Sequence, residues 1–381
     1  MSQRAPFALG IILIAVLSVS IIATVDWWWG NVHSDPEFFV GVEFAYNDNV
    51  SDLKNLVDKV KNYTNLFVIG SIEISFNQTA LNEACDYVVD SGFHLIVFFT
   101  DSDNEMYNYT IFDWMVEAKQ KYGDMFLGVY RYDEPGGNQL DLGPSLLIEK
   151  ETNYTTMAAN YTNALNLLVN YYMNYSDKVF TADYGLYWFN YKAGYTAVFT
   201  EFGWNHSRPL HIALCRGAAK AYNKDWGAIV TWEYTDAPYI ESGRELYDDM
   251  VLAYKTGAKY VVVFDYPKIG QYGILNETEG HFGALEDFWN YVHSNPQEHG
   301  VIQGEVAYVL PQDYGFGFRN PEDKIWGLWN ADELSPKVWY DANTLIDQYG
   351  SRLDIVYSDP EVMDAVKSRY DRLFFWNETV S

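Results

Sequence analysis

Eight short apolar runs recur between residues 39 and 265, each followed by a stretch with a different periodicity, and this alternation restricts the chain to few folds. The runs span residues 39–45, 66–73, 94–101, 126–134, 178–183, 197–201, 227–233 and 260–265. They are nearly continuous in Val, Ile and Phe, as strands buried on both faces must be. Between them, residues 52–63, 80–91, 111–122, 152–175, 209–222 and 244–256 carry helical patterns, and Gly92, Gly123 and Gly257 stand at helix-stop positions. Residues 184–196 are too few for a full crossover helix and form the weakest link. Strand–helix alternation of this kind gives a parallel sheet, and the reading is an α/β chain whose main body is a (β/α)8 TIM barrel over residues 31–300. An open doubly wound sheet is the alternative, disfavoured because no Gly-rich phosphate turn follows the first run.

Beyond residue 301 the pattern changes to strands at 305–310, 353–357 and 373–376 with helices at 335–349 and 360–370. This reads as a small, cut-short, flavodoxin-like α/β domain over residues 301–381. Its Gly315-Phe316-Gly317-Phe318 loop is a turn rather than a dinucleotide fingerprint, because no third Gly opens a helix.

The first 30 residues read as a membrane anchor. Residues 5–25 are uncharged, with Arg4 before them and Asp26 and three tryptophans, Trp27 to Trp29, after them. Twenty-one helical residues rise about 31 Å, enough to span the hydrocarbon core. A cleaved signal peptide competes with this reading; the long apolar stretch and the lack of a small-x-small cleavage site before Asp26 favour a retained transmembrane helix. Ten Asn-x-Ser/Thr sequons, at Asn49, Asn62, Asn77, Asn108, Asn153, Asn160, Asn174, Asn205, Asn276 and Asn377, agree with an extracellular, N-glycosylated body on a single-pass cell-membrane protein. A net charge of −27 argues against nucleic-acid partners. Cys85 and Cys215 fall on the second and sixth barrel helices, which are not ring neighbours, so two buried free thiols are expected. No metal-ligand spacing appears, and neither metal nor cofactor is expected.

The acids localise the chemistry. Glu43, Glu73, Asp101, Asp133, Glu134, Asp183, Glu201, Glu233 and Asp265 close the eight runs, so in a parallel barrel they ring one mouth. Helix capping accounts for some Asp residues, but not for Glu at the end of a buried strand. Crowded carboxyls raise one another's pKa, which keeps one protonated while its neighbour is ionised. Tyr132, Tyr184, Trp188, Trp204, Trp232 and Tyr234 lie near the same mouth, where their rings offer stacking faces to sugars. His206, His211 and His281 are expected as surface or substrate contacts, and Arg216-Gly217-Ala218-Ala219 as close packing of the sixth helix on the barrel.

Tyr130-Arg131-Tyr132-Asp133-Glu134-Pro135 and Thr231-Trp232-Glu233-Tyr234 resemble the strand-four and strand-seven motifs of clan-A retaining glycoside hydrolases, and the barrel followed by an α/β domain is similar to family-42 β-galactosidases. That resemblance implies Glu134 as acid/base and Glu233 as nucleophile, facing each other across the pocket. Asp133 stands where the clan usually has Asn. Glu43, Asp133, Tyr132, Asp183, Tyr184, Trp188, Glu201, Trp204, Trp232, Tyr234 and Asp265 are the expected sugar contacts. The alternative function is a non-catalytic glycan-binding or envelope-scaffold barrel, in which Glu134 and Glu233 are apart or salt-bridged.

Overall fold

The computed structural model describes residues 38–101, 105–143, 146–233, 241–265 and 280–380. The expected spanning segment at residues 5–25, Tyr234 and Asn276 lie outside them. Among the described residues, no helix is long and apolar enough to cross a membrane.

Eight parallel strands close into a barrel in sequence order: β1 (Phe39–Phe44), β2 (Leu66–Ile69), β3 (His94–Phe99), β4 (Phe126–Arg131), β5 (Val179–Asp183), β6 (Ala197–Phe202), β7 (Asp225–Val230) and β8 (Tyr260–Asp265). Closure is made by β8 pairing with β1, from Phe39 against Tyr260 to Phe44 against Asp265. Side chains alternate across each strand, and one parity fills the barrel interior. Phe39, Val68, Ile96, Tyr130, Phe180, Phe199 and Tyr260 form that inner core. Phe180 and Phe199 stack with ring centroids 5.7 Å apart, and a Cβ on Gly227 would fall 2.4 Å from the Phe199 ring, so the small residue makes room for the large one.

The surrounding helices are α1 (Val50–Val60), α2 (Ile72–Ser75), α3 (Gln78–Asp90), α4 (Ile111–Tyr122), α5 (Pro135–Asp141), α6 (Tyr154–Met173), α7 (Tyr187–Ala193), α8 (Arg208–Tyr222), α9 (Gly243–Lys255) and α10 (His281–Ser294). The short fifth crossover does hold a helix, the seven-residue α7. Asn49, Asn77 and Asn153 cap α1, α3 and α6, each accepting backbone N–H groups on its side-chain oxygen. Eight of the nine described sequon asparagines are exposed, so a glycan has room there, and Asn160 alone is half-buried.

Three further parallel strands, β9 (Val306–Leu310), β10 (Leu353–Tyr357) and β11 (Arg372–Phe375), form a sheet in the order β10-β9-β11, with α11 (Ser335–Tyr349) and α12 (Met363–Lys367) between them. Here the structure corrects the expected role of the Arg216–Ala219 segment. α8 packs on β6 and β7 of the barrel as expected, but Arg216 and Gly217 serve this sheet as well: a Cβ on Gly217 would lie 2.4 Å from the Ile355 carbonyl oxygen. Beside it the Arg216 guanidinium is buried, holding Asp354 at 2.7 Å and the Ile302, Ser351 and Leu353 carbonyls.

Cys85 on α3 and Cys215 on α8 are free and fully buried. Both are therefore expected to alkylate under denaturing conditions without reductant, read by intact mass; a Cys85–Cys215 cross-linked peptide would contradict the ring order.

Candidate active site

The inward parity of the barrel core, extended one step upward, gives the floor of a cavity. Phe39 leads through Gly41 to Glu43 on β1, Ile96 to Phe98 on β3, Phe199 to Glu201 on β6, and Val262 to Phe264 on β8. These side chains, with Asp133 and Glu134 beyond β4 and Trp204 and Trp232 beyond β6 and β7, line a cavity of about 620 Å³ at the C-terminal mouth. That face is also where the backbone is strained. Tyr46, Tyr132, Glu134, Leu186, Trp204 and Asn205 all take positive φ, and all follow the C-terminal ends of barrel strands. Such strain in non-glycine residues concentrates at functional sites.

The turn after β4 places two acids in the mouth. Tyr132 and Glu134 adopt φ of 62° and 50°, and α5 starts immediately at Pro135. Asp183 holds that turn from below. Its carboxylate accepts the N–H groups of Gly136 (2.7 Å), Gly137 (2.9 Å), Tyr184 (2.9 Å) and Gly185 (3.1 Å), and the Asn190 amide (2.6 Å). Side chains at 136 and 137 would collide with the Gly185 carbonyl and the Tyr184 ring, so both positions must be glycine. Asp183 is fully buried, and burial raises its pKa to about 7 against the opposing pull of those hydrogen bonds. It anchors the site; the expected sugar contact is corrected, because its parity on β5 is opposite to that of the cavity-lining Ala182.

Glu134 and Glu201 both line the cavity, and each carboxyl acts directly on the titration of the other. Burial raises the Glu134 carboxyl to about 8, and the charges of Asp133 and Asp183 add to the shift. Glu201, only 3% exposed, is held well above the usual carboxylate range, first by burial and then by Glu134, Asp133 and Asp183. Each of the two carboxyls shifts the other, as expected of neighbouring buried acids that titrate together. Glu43 rises to about 8, again mainly through burial with Asp133 contributing. Asp133 is open to the solvent of the cavity yet ringed by protein; that surrounding raises its pKa, opposed by a hydrogen bond from the Tyr130 hydroxyl.

The aromatic wall is continuous. The Trp204 N–H donates to the Trp232 carbonyl at 2.6 Å, their rings meet edge to face at 5.9 Å, and Trp232 meets Phe264 at 6.1 Å. Trp204 is 40% exposed, leaving a ring face available for stacking.

Several expected residues lie elsewhere. Glu233 is the main correction. β7 ends at Val230, three residues earlier than the sequence suggested, and Glu233 turns to the first residue of α8, 2.7 Å from the Arg208 guanidinium. Arg208 also holds Asp249 at 2.7 Å, and Glu233 does not line the cavity, so the structure does not bring Glu134 and Glu233 together. Glu73 falls within α2, and Asp101 is paired with Arg131. Asp265 is buried at the end of β8 on the parity opposite to Phe264 and does not line the cavity. Trp188 is buried against Tyr222 and Tyr357 at the seam with the three-stranded sheet. Tyr184 donates to Asp141 at 2.7 Å, and Tyr132 lies near the Arg131 guanidinium; neither lines the cavity. His211 is buried, stacked on His206 at 4.8 Å and bonded to the Tyr187 hydroxyl at 2.8 Å; burial, with His206 and Arg208 nearby, lowers its pKa to about 3. His281 is buried as well, its Nε2 2.8 Å from the Glu241 carbonyl, so none of the three histidines lines the cavity. Of the cavity residues, sequence reading missed Tyr46, Phe98, Tyr130, Thr231 and Phe264. Counting back from Glu134 finds Tyr130, but Asp101 and Asp265 stand on the parity opposite to Phe98 and Phe264, so the acids that end those two runs point away from the cavity residues.

No protein-family model matches this chain, and no curated protein matches it in sequence. Among solved structures, α-L-fucosidase isoenzyme 2 from Paenibacillus thiaminolyticus is similar with a TM-score of 0.52 and 11% identity over 88% of this chain. The chain spans 59% of that fucosidase's length. An endo-α-mannosidase from Bacteriodes thetaiotaomicron aligns over 66% of this chain and 86% of its own, at a TM-score of 0.41 and 12% identity. A truncated 3-deoxy-D-arabino-heptulosonate 7-phosphate synthase from Thermotoga maritima aligns over 69% of this chain and 89% of its own, at 0.39 and 8%. At such identities the likeness is one of fold, and the fucosidase comparison supports the eight-stranded barrel.

Proposed function

We propose that the chain is a glycoside hydrolase whose reacting carboxyls are Glu134 and Glu201. The observation that carries this is the pair of neighbouring carboxyls, each raised by burial and by the other acids, in one aromatic-walled cavity. Acetal cleavage needs one carboxylic acid to protonate the leaving oxygen and one carboxylate to attack or stabilise the sugar's developing cation. Glu201, the more deeply buried of the two, is the acid, and the half-buried Glu134 is the nucleophile. Carboxyls close enough to act on each other favour the short spacing of retaining enzymes (about 5–5.5 Å) over the roughly 6.5–9.5 Å that inverting ones keep for an attacking water. The similarity in fold to a fucosidase is consistent with this reading. A panel of chromogenic glycosides tested on residues 31–381 examines it, with turnover of at least one sugar expected.

The pH dependence follows from the directions of the shifts. Glu134 attacks only when ionised, and its pKa is raised to about 8, so kcat/KM is expected to climb as pH rises toward about 8. Glu201 is also held well above the usual carboxylate range and must keep its proton, so activity falls again only where that proton is lost. A profile already declining above about pH 6 would contradict these roles.

The ion pair of Glu233 with Arg208 favours a second reading, a glycan-binding or envelope-scaffold barrel without turnover; binding of sugars with no cleavage of any panel glycoside would select it. We also propose that the body is outward-facing and held by the segment at residues 5–25, supported by the exposed sequon asparagines. Mass spectrometry of the mature N-terminus tests this, and a chain starting near Asp26 would contradict the anchor.

A further inference from the structure

We propose that Glu43 and Asp133 form a subsite for the protonated amine of an amino sugar, so that the glycans taken by this cavity carry free, unacetylated amino groups; this rests on the glycosidase reading above.

Glu43 is 6% exposed, lines the cavity, and its carboxyl makes no hydrogen bond among the described residues. It lies flat against Gly70, where an added Cβ would come within 2.0 Å of Glu43 Oε1, so glycine at that position is what admits the carboxyl. A buried carboxyl without a donor is costly, and nothing in the barrel core supplies one. Asp133 faces it with one oxygen bonded by the Tyr130 hydroxyl and the other without a hydrogen bond among the described residues. An ammonium brings three donors and a positive charge, which matches two such carboxyls.

Charge decides between an amine and a neutral hydroxyl. Four carboxyls, Glu43, Asp133, Glu134 and Glu201, line the cavity, and no Lys, Arg or His does so among the described residues. Glu43 faces Asp133 and the Tyr130 phenol, with no cation near it among the described residues to offset burial. A sugar carboxylate would be repelled there. A hydroxyl would leave the crowding unrelieved. An ammonium relieves it and displaces the proton that Glu43 holds near neutral pH: the free carboxyl and the ammonium give an ion pair and one released proton.

The test is calorimetric titration of residues 31–381 with methyl glycosides of glucosamine and galactosamine, against their N-acetyl and neutral hydroxyl counterparts, in two buffers of different ionisation heat. One amine is expected to bind at least about tenfold more tightly than both counterparts, with proton release, and Glu43→Gln is expected to abolish that preference. Asp133→Asn provides the same readout should Glu43→Gln fail to fold. Equal binding of the N-acetyl or hydroxyl sugar, no measurable binding of either amine, or a preference that persists in both variants would overturn the subsite. Amine binding that depends on Glu43 without cleavage of any glycoside would leave the subsite standing and the hydrolase reading refuted; turnover of neutral glycosides with no amine preference would do the reverse.

Discussion

Glu201→Gln is expected to lower turnover by about a thousandfold or more, and Glu134→Gln by at least as much, while sugar binding changes little. The amide keeps the size and the hydrogen-bonding edge of the carboxyl but can neither deliver a proton nor attack a sugar. Glu201→Gln should be least damaging on substrates whose leaving groups need no protonation, because the acid acts only on the departing oxygen. Glu134→Gln should be equally damaging on all of them. Glu233→Gln provides the contrast. Its carboxylate is bound to Arg208 outside the cavity, so its loss is expected to cost less than about tenfold in turnover. Steady-state kinetics on one chromogenic substrate, with melting curves to confirm folding, compare the three directly.

The largest expected effect on stability lies far from the mouth. Arg216→Met should destabilise the protein by about 3–5 kcal/mol, because it leaves Asp354 buried with its main counter-charge gone. Asp354 is fully buried and takes hydrogen bonds from Arg216, Lys220 and the Tyr370 hydroxyl. The guanidinium also satisfies carbonyl groups at 302, 351 and 353, which have no replacement donor in the variant. Thermal denaturation followed by circular dichroism should show a markedly lower midpoint, and an unchanged midpoint would contradict the seam described between α8 and the three-stranded sheet.

The barrel was legible because its signal is local. Each buried strand declares itself by a run of Val, Ile and Phe, and a parallel sheet follows from the helices between. Most of the site was legible for the same reason, since Glu43, Asp133, Glu134 and Glu201 end such runs. What failed is instructive. The pairing of Glu134 with Glu233 assumed that β7 continues to residue 233, but apolar character persists past Val230 into Trp232 while the strand itself stops. Asp183 and Asp265 end strands too, but on the outward parity, and only a residue-by-residue count of inward positions separates them from Glu201. The role of Arg216 depended on a partner 138 residues away in sequence, which no local pattern reveals. Gly217 has the same explanation: its small size serves the Ile355 backbone, not the barrel.

The identity of the nucleophile is the centre of this account, and covalent trapping reads it without inference. A slow, activated 2-fluoro glycoside of whichever sugar the panel shows to be cleaved should glycosylate the enzyme once, releasing its leaving group, and stop it, and peptide mapping of the trapped enzyme then locates the glycosyl ester. The expected site is Glu134, with no label in the Glu134→Gln variant. A label on Glu233 would contradict the Glu134–Glu201 pair and restore the strand-four and strand-seven arrangement.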